Sequence, residues 1–346
     1  MPQPTTSLRA RLADVPVPAL ARTAAIERGI ADSVAYLESE AAPRSIALDP
    51  YWPKWDSPWW HMLLLHELGE AGRIPGRAVV AMLAGLEAYP LHIFPIHPGE
   101  APPGTDLSRD VACHCALGCM YQVLSAYGVP VGRALPWIEA WFLRYQMADG
   151  GLNCDEHAYL KTDECPSSMV GTIAPFEAML VRGTQGAFLE RGARFLIERA
   201  LSQGSPTAHN ARERDAAPAW RQPCFPRFYY YDVLRGLAAL VRWAEATAQP
   251  LLYAAVAGVV DELIERASDG VIRIGRQAYV GMTTVVPTLE RGSAVRQPAS
   301  TFALLDAVSQ IGEPSEALTR QWTAARRGLL QLIDAGRLVA DRQEAR

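Results

Sequence analysis

The stretch DVACHCALGCMYQVLSAY, residues 110–127, carries one charged side chain in eighteen positions. Its apolar residues surround every face of a helix, and a helix that is apolar all round belongs in a protein interior. SSMVGTIAPFEAML (167–180) has the same character. GAFLERGARFLIERALS (186–202) and ALTRQWTAARRGLLQLIDAGR (317–337) differ, being rich in arginine and apolar along one stripe only. That is the pattern of a helix that covers a core. The alternation of these two kinds decides the fold class.

Working outward, the periodicity predicts a leading helix near 22–40 and then five pairs: 57–72 with 76–89, 109–127 with 134–147, 167–182 with 186–202, 228–246 with 251–267, and 299–311 with 317–336. Proline and glycine punctuate the joins, as in GRIPGR, YGVPVGR, TAQP and IGEPSE. Strand-like alternation is brief, in GVIRIGRQAYVGM and TTVVP. Joins inside pairs are short, and joins between pairs are long: 41–56, 90–108, 148–166, 203–227 and 268–298. If first helices form an inner ring and second helices an outer one, every long join falls on one rim. The expectation is an all-α chain, an α/α toroid of five hairpins in one domain over 1–346. Residues 1–44 form an N-terminal extension and 45–336 the ring. Long ordered loops usually carry function.

The 346 residues are 49% apolar with a formal net charge of −4, which gives no reason to expect nucleic acid as a partner. Lys54 and Lys161 are the only lysines, so candidates for an imine-forming amine are few. The N-terminus lacks the apolar core of a signal peptide, and no run reaches the roughly 18 apolar residues of a membrane span. A cytoplasmic location is the expectation. The six cysteines then read as thiols or metal ligands rather than disulfides.

One rim loop, QMADGGLNCDEHAY (146–159), resembles the turn motif of the squalene cyclase and protein prenyltransferase superfamily. Gln146, Asp149, Gly150 and Gly151 match it, with Leu152 where tryptophan is common. RASDGVIR echoes it at Asp269 and Gly270, and FYYYDVLRGLAAL (228–240) is similar to an inner helix of the same proteins. The likeness in repeat pattern spans roughly 45–336 and extends to bacterial proteins with prenyltransferase and squalene-oxidase repeats. It implies a toroid enzyme acting on a hydrophobic or isoprenoid-type small molecule. The sequence departs from the pattern in its chemistry. It has neither the Asp-x-Asp-Asp nor the Asp-Asp-x-x-Asp signature. Where the prenyltransferases hold zinc with an aspartate, a cysteine and a histidine, Cys154 and Asp155 are adjacent, and Tyr229 stands near the histidine position.

The rim loops nevertheless gather suitable groups. Cys154, Asp155, Glu156 and His157 share one loop, which Cys165 ends; Cys113, His114 and Cys115 open one inner helix, Cys224 precedes another, and His92 and His97 lie in a further loop. A mixed site of His114, Cys154, Asp155 and His157 would suit zinc. The pair CHC is too tight for the usual Cys-x-x-Cys spacing, and Cys113 and Cys119 read as small core residues. Alternatively, Cys154 is a nucleophile with His114 or His157 as base and Asp155 orienting it. A bland alternative has Asp155 or Asn153 simply capping the loop.

Trp52, Trp55, Trp59 and Trp60 crowd nine positions. With His61 and Tyr230 they either line a ligand cavity or seal the first hairpin. His61 and His66 in HELGE are five apart, too far around a helix to share a metal. Asp232 and Glu177 are acids on apolar helices, read either as cavity-facing groups, Asp232 as a general acid, or as partners of arginines such as Arg235. Rival expectations are a carbohydrate-active toroid using paired carboxylates and a non-catalytic binding protein.

Overall fold

The computed structural model describes residues 4–107, 109–183, 186–279, 282–288 and 294–339. The chain is predominantly helical, as the periodicity predicts. The helices are α1 (Pro4–Asp14), α2 (Ala24–Glu38), α3 (Ala41–Leu48), α4 (Pro58–Glu67), α5 (Gly76–Glu87), α6 (His114–Tyr127), α7 (Val131–Ala134), α8 (Pro136–Tyr145), α9 (Met169–Arg182), α10 (Ala187–Glu198), α11 (Ala211–Ala216), α12 (Val233–Thr247), α13 (Tyr253–Arg266), α14 (Ala303–Val308) and α15 (Glu316–Asp334). The described strands are β1 (Leu251–Leu252), β2 (Thr283–Pro287), β3 (Ala294–Pro298) and β4 (Leu338–Val339); TTVVP forms β2, which pairs antiparallel with β3, while β1 pairs parallel with β4. Of the stretch 270–282, positions 280 and 281 lie outside the described residues, and the described ones contribute isolated bridges, at Arg273 and Arg276, and no strand.

The contrast between interior and covering helices is present. Eight of the ten residues of α4 are buried, against four of fourteen in α13. Neighbouring contacts run α4 to α6, α6 to α9, α9 to α12 and α12 to α15. The expected last pair is therefore reassigned: α14 is short and packs on α2, while α15 takes the interior position beside α12. The arginines of α15 suggested a covering helix. Its buried face, with Leu318, Trp322, Ala325 and Leu329, seats it inside. Four helices lie wholly or mostly where loops or tails were expected, α1, α3, α7 and α11. They are short or lack a wide apolar stripe, which leaves little periodic signal.

A repeated hydrogen-bond unit underlies this order. After α8, Asp149 Oδ1 accepts from Gly151 N–H at 3.1 Å; after α13, Asp269 Oδ1 accepts from Val271 N–H at 3.0 Å. Gly150 and Gly270 take left-handed φ values of 94° and 79°, a conformation in which a Cβ is strained. Leu152 N–H then donates to Thr172 Oγ1 and Ile272 N–H to Thr319 Oγ1. Ser168 N–H returns to the Leu152 carbonyl and Ser315 N–H to that of Ile272. Ser168 and Ser315 cap α9 and α15 in the same manner, each accepting from the residue three places on. The equivalence confirms α15 as the counterpart of α9.

Close approach of α6 and α9 fixes the middle of the interior. A Cβ on Gly118 would stand 2.4 Å from the backbone of Ala174 and Pro175, a contact that cannot be relieved by a side-chain rotation. Gly118→Ala is expected to destabilise the protein by roughly 2–3 kcal/mol, measured as a lower urea midpoint. A shift equivalent to less than about 0.5 kcal/mol would show that the two helices can separate at little cost.

Candidate metal centre

The first turn of α6 brings together three thiols. Cys113 Sγ and Cys115 Sγ lie 3.1 Å apart, and Cys154 Sγ completes a group whose sulfurs all fall within 4.8 Å of one another. Two residues apart on a continuous helix, side chains point to nearly opposite faces. Here the helix begins between the two cysteines. Cys113 is the extended N-cap residue, with φ −96° and ψ 164°, and Cys115 is already helical. The change of backbone conformation turns both sulfurs to one side. The tight CHC spacing, read from sequence as unsuitable, brings two sulfurs to one side for this reason.

Cys154 arrives on the loop after α8, and that loop is well braced. Asn153 Nδ2 donates to the Pro166 carbonyl, Asn153 Oδ1 accepts from Asp155 N–H at 3.0 Å, and Asn153 N–H donates to Tyr159 Oη at 3.1 Å. Gly171 lets α9 approach the loop backbone; a Cβ there would lie 2.9 Å from the Leu152 carbonyl oxygen.

The group can hold a metal ion. Tetrahedral zinc with Zn–S bonds of about 2.3 Å places its sulfurs about 3.8 Å apart. The Cys113–Cys115 pair would open by roughly 0.7 Å to meet this, a small side-chain rotation. The electrostatics favour an anionic cluster. Thiol donation from Cys115 and Cys154 drives the Cys113 thiol well below its ordinary value against the opposing effect of burial, helped by the Ala116 N–H and the Lys54 charge. Cys115 and Cys154 are correspondingly pushed well above, since their protons are held in bonds to Cys113.

Lys54 faces the same place. Its ammonium lies 5.0 Å from the Tyr229 ring centroid, 5.1 Å from that of Trp52 and 5.4 Å from that of Tyr51, and donates to Tyr229 Oη at 3.3 Å. Burial lowers its pKa while the three thiols favour its charge. A chamber of about 180 Å³ is lined by Tyr51, Trp52, Lys54, Tyr89, Arg109 and Cys113 among others.

Of the expected ligands, Cys154 alone belongs to this group. His114 is fully buried and committed: Trp141 Nε1 donates to its Nδ1 at 2.7 Å, and its Nε2 meets Tyr159 Oη at 2.9 Å. Burial depresses its pKa to about 3, so it is a neutral core imidazole with no free lone pair. Asp155 caps the following turn through His157 N–H and pairs with His209 Nε2 at 2.7 Å. His157 is exposed, its Nε2 3.9 Å from Glu156 Oε1. The bland reading of Asp155 as a loop cap describes its contacts, and Cys113 rather than Cys154 is the acidic thiol. All six cysteines are free. Cys119 and Cys224 are buried away from the group with raised thiol pKa values, each near 12 through burial, and Cys165 lies beside Ser167.

The expected substrate-binding residues are mostly structural. Trp59 and Trp60 are fully buried, Trp60 donating to the Tyr51 carbonyl at 3.2 Å. His61 is stacked on Phe302 with centroids 3.7 Å apart. Tyr230 stacks on Tyr229 at 4.5 Å beside Trp55 and is half-buried. Glu177 is paired with Arg235 at 2.7 Å. The acid expected to face a cavity, Asp232, is fully buried and fully used. It caps α12 through Arg235 N–H, accepts from Cys224 N–H, and forms a two-pronged ion pair with Arg227 at 2.6 and 3.0 Å. Its ion-pair partner is Arg227 rather than the side chain of Arg235.

No family model matches the chain, and no curated protein or solved structure matches it.

Burial opposes the Asp232 charge, but Arg227 and the two backbone donors outweigh it and hold the pKa below the ordinary value. Its contribution to stability is complete above about pH 4 and disappears as the pH falls through the depressed folded value. Asp232→Asn is expected to cost about 3–5 kcal/mol at neutral pH, because Arg227 is left buried without its counter-charge. Chemical denaturation from pH 7 down to pH 3 checks both statements, and a neutral effect at pH 7 would refute them.

Proposed function

We propose that Cys113, Cys115 and Cys154 bind one thiophilic metal ion, zinc by donor set, in an α/α-toroid enzyme that acts on a small hydrophobic molecule. The observation that carries this reading is the convergence of three sulfurs, from two separate segments, beside a walled chamber. Thiolates are soft donors that suit zinc or copper(I). Three protein ligands leave a fourth position, the arrangement of reactive rather than purely structural zinc. A divalent ion with three thiolates carries one net negative charge, and Lys54 lies close enough to offset it. The faces of Tyr51, Trp52 and Tyr89 suit an apolar body, while a Lewis acid at the open position would polarise an oxygen or activate a bound nucleophile.

The ring closure and the isoprenoid-type substrate belong to this proposal. The order of helix contacts and the repeated Asp-Gly turns support the first. The resemblance to the squalene cyclase and prenyltransferase superfamily supports the second. A glycosidase-like reading has less support: Glu67 and Glu177 line one cavity, but their oxygens are engaged by backbone N–H groups and by Arg235. The 3.1 Å Cys113–Cys115 contact favours a second reading, a dithiol that oxidises to a disulfide.

Metal analysis by mass spectrometry on tag-free protein separates these. One zinc ion per chain is expected, with affinity falling at least tenfold in Cys113→Ser, Cys115→Ser and Cys154→Ser. Asp155→Asn and His157→Ala should retain the ion. Protein that is metal-free and takes up neither zinc nor copper(I) on reconstitution defeats the proposal; loss of two hydrogens on mild oxidation would then support the dithiol.

A further inference from the structure

A second cavity, of about 320 Å³, lies between α4, α6, α9, α12 and α15. On α6 it is lined by Cys119 and Gln122, one to two turns beyond Cys115. Phe228 also lines it, and the Phe228 ring packs against Trp55 and Trp60 at 5.5 and 5.0 Å.

The lining carries Arg227, Arg235, Arg242 and Arg320 against Glu67 and Glu177. The inner groups are committed. Arg235 holds Glu177 Oε2 through Nε and Nη2 at 3.0 and 2.7 Å, and its Nη1 donates to the carbonyls of Phe228 and Tyr230. Arg227 spends its fork on Asp232 and its remaining arm on Gln321 Oε1 at 2.5 Å. Glu67 accepts from the backbone N–H groups of Arg227 and Phe228 at 2.8 and 2.5 Å.

Of the outer groups, Arg242 has no hydrogen-bond or ion-pair partner among the described residues. Arg320 pairs through Nη1 with Glu316, which it shares with Arg22, and through Nη2 donates to the Glu67 carbonyl at 3.2 Å. His66 lines the same wall as a neutral imidazole, its pKa lowered to about 4 by burial. The cavity continues as a groove between α12 and α15, where Arg327 joins Arg242 opposite a single acid, Glu245. Glu67 has both carboxylate oxygens engaged and Glu177 has its Oε2 engaged, while the guanidinium of Arg242 is an uncommitted donor at the end of the cavity.

We propose that this cavity binds a small organic anion, a carboxylate or a phosphate, with Arg242 as its principal contact and Arg320 and His66 beside it. A guanidinium presents a planar fork matched to either headgroup. The site is distinct from the thiol centre and does not depend on a metal there.

Isothermal titration calorimetry on the full chain at low ionic strength tests this, using inorganic phosphate and succinate as separate probes. At least one is expected to bind saturably at one site with Kd about 1 mM or tighter, and the preferred probe identifies the headgroup. Arg242→Gln should weaken binding at least tenfold, while Arg194→Gln on the exposed face of α10 should not change it. Arg242 and Arg194 are both exposed, so the variants should fold; their circular dichroism spectra verify this. Absence of saturable heat with both probes, or equal binding by Arg242→Gln, overturns the assignment.

Discussion

The Arg235–Glu177 ion pair is the constraint on which the interior depends. Neither charge is tolerable in an apolar core without the other, and removing one partner of such a pair typically costs about 3–5 kcal/mol. The pair ties α12 to α9, and Gln122 on α6 donates to the same carboxylate oxygen at 3.3 Å. Arg235 also fixes the carbonyls of Phe228 and Tyr230, so the aromatic run before α12 is positioned by the same guanidinium. Tyr229, between them, receives the bond from Lys54. An unbroken chain of contacts thus leads from a buried charge in the middle of the molecule to the thiol chamber.

Much of the architecture was legible because it rests on periodicity and on turn chemistry. The contrast between uniformly apolar helices such as α6 and striped ones such as α10 needs only the side-chain pattern. The Asp-Gly turns at 149–150 and 269–270 were visible as an echo in sequence, and both proved to carry the same hydrogen bonds. What the pattern concealed was the place of α15. Its many arginines suggested a solvent-covered face, but Arg326 is buried and donates to the carbonyl of Pro16 at 3.2 Å, while other polar residues of the helix line a cavity. Composition alone cannot separate a polar face turned to solvent from one turned to an internal cleft.

The candidate site was only partly legible. Cys154 stands out in its loop, but the Cys-x-Cys spacing of its companions is tighter than the usual Cys-x-x-Cys pair and conceals them. The decisive fact is a boundary of one residue, which is the least certain feature of any sequence-based helix assignment. The histidines misled in the opposite direction. His114 sits between two of the ligands in sequence, yet Trp141 and Tyr159 occupy its ring nitrogens. Aromatic partners so distant in sequence leave no local signal.

The start of α6 therefore does more than end a loop. Because Cys113 is extended and Cys115 helical, the separation of their sulfurs is a readout of where the helix begins. Extending α6 backward by one residue would swing the first thiol away from the second without altering either side chain. The spacing of the two sulfurs is thus encoded in a folding boundary, and helix nucleation and the geometry of the thiol group become the same event. Evolutionary or engineered changes to the residues just before α6 would tune the site as directly as changes to the cysteines themselves.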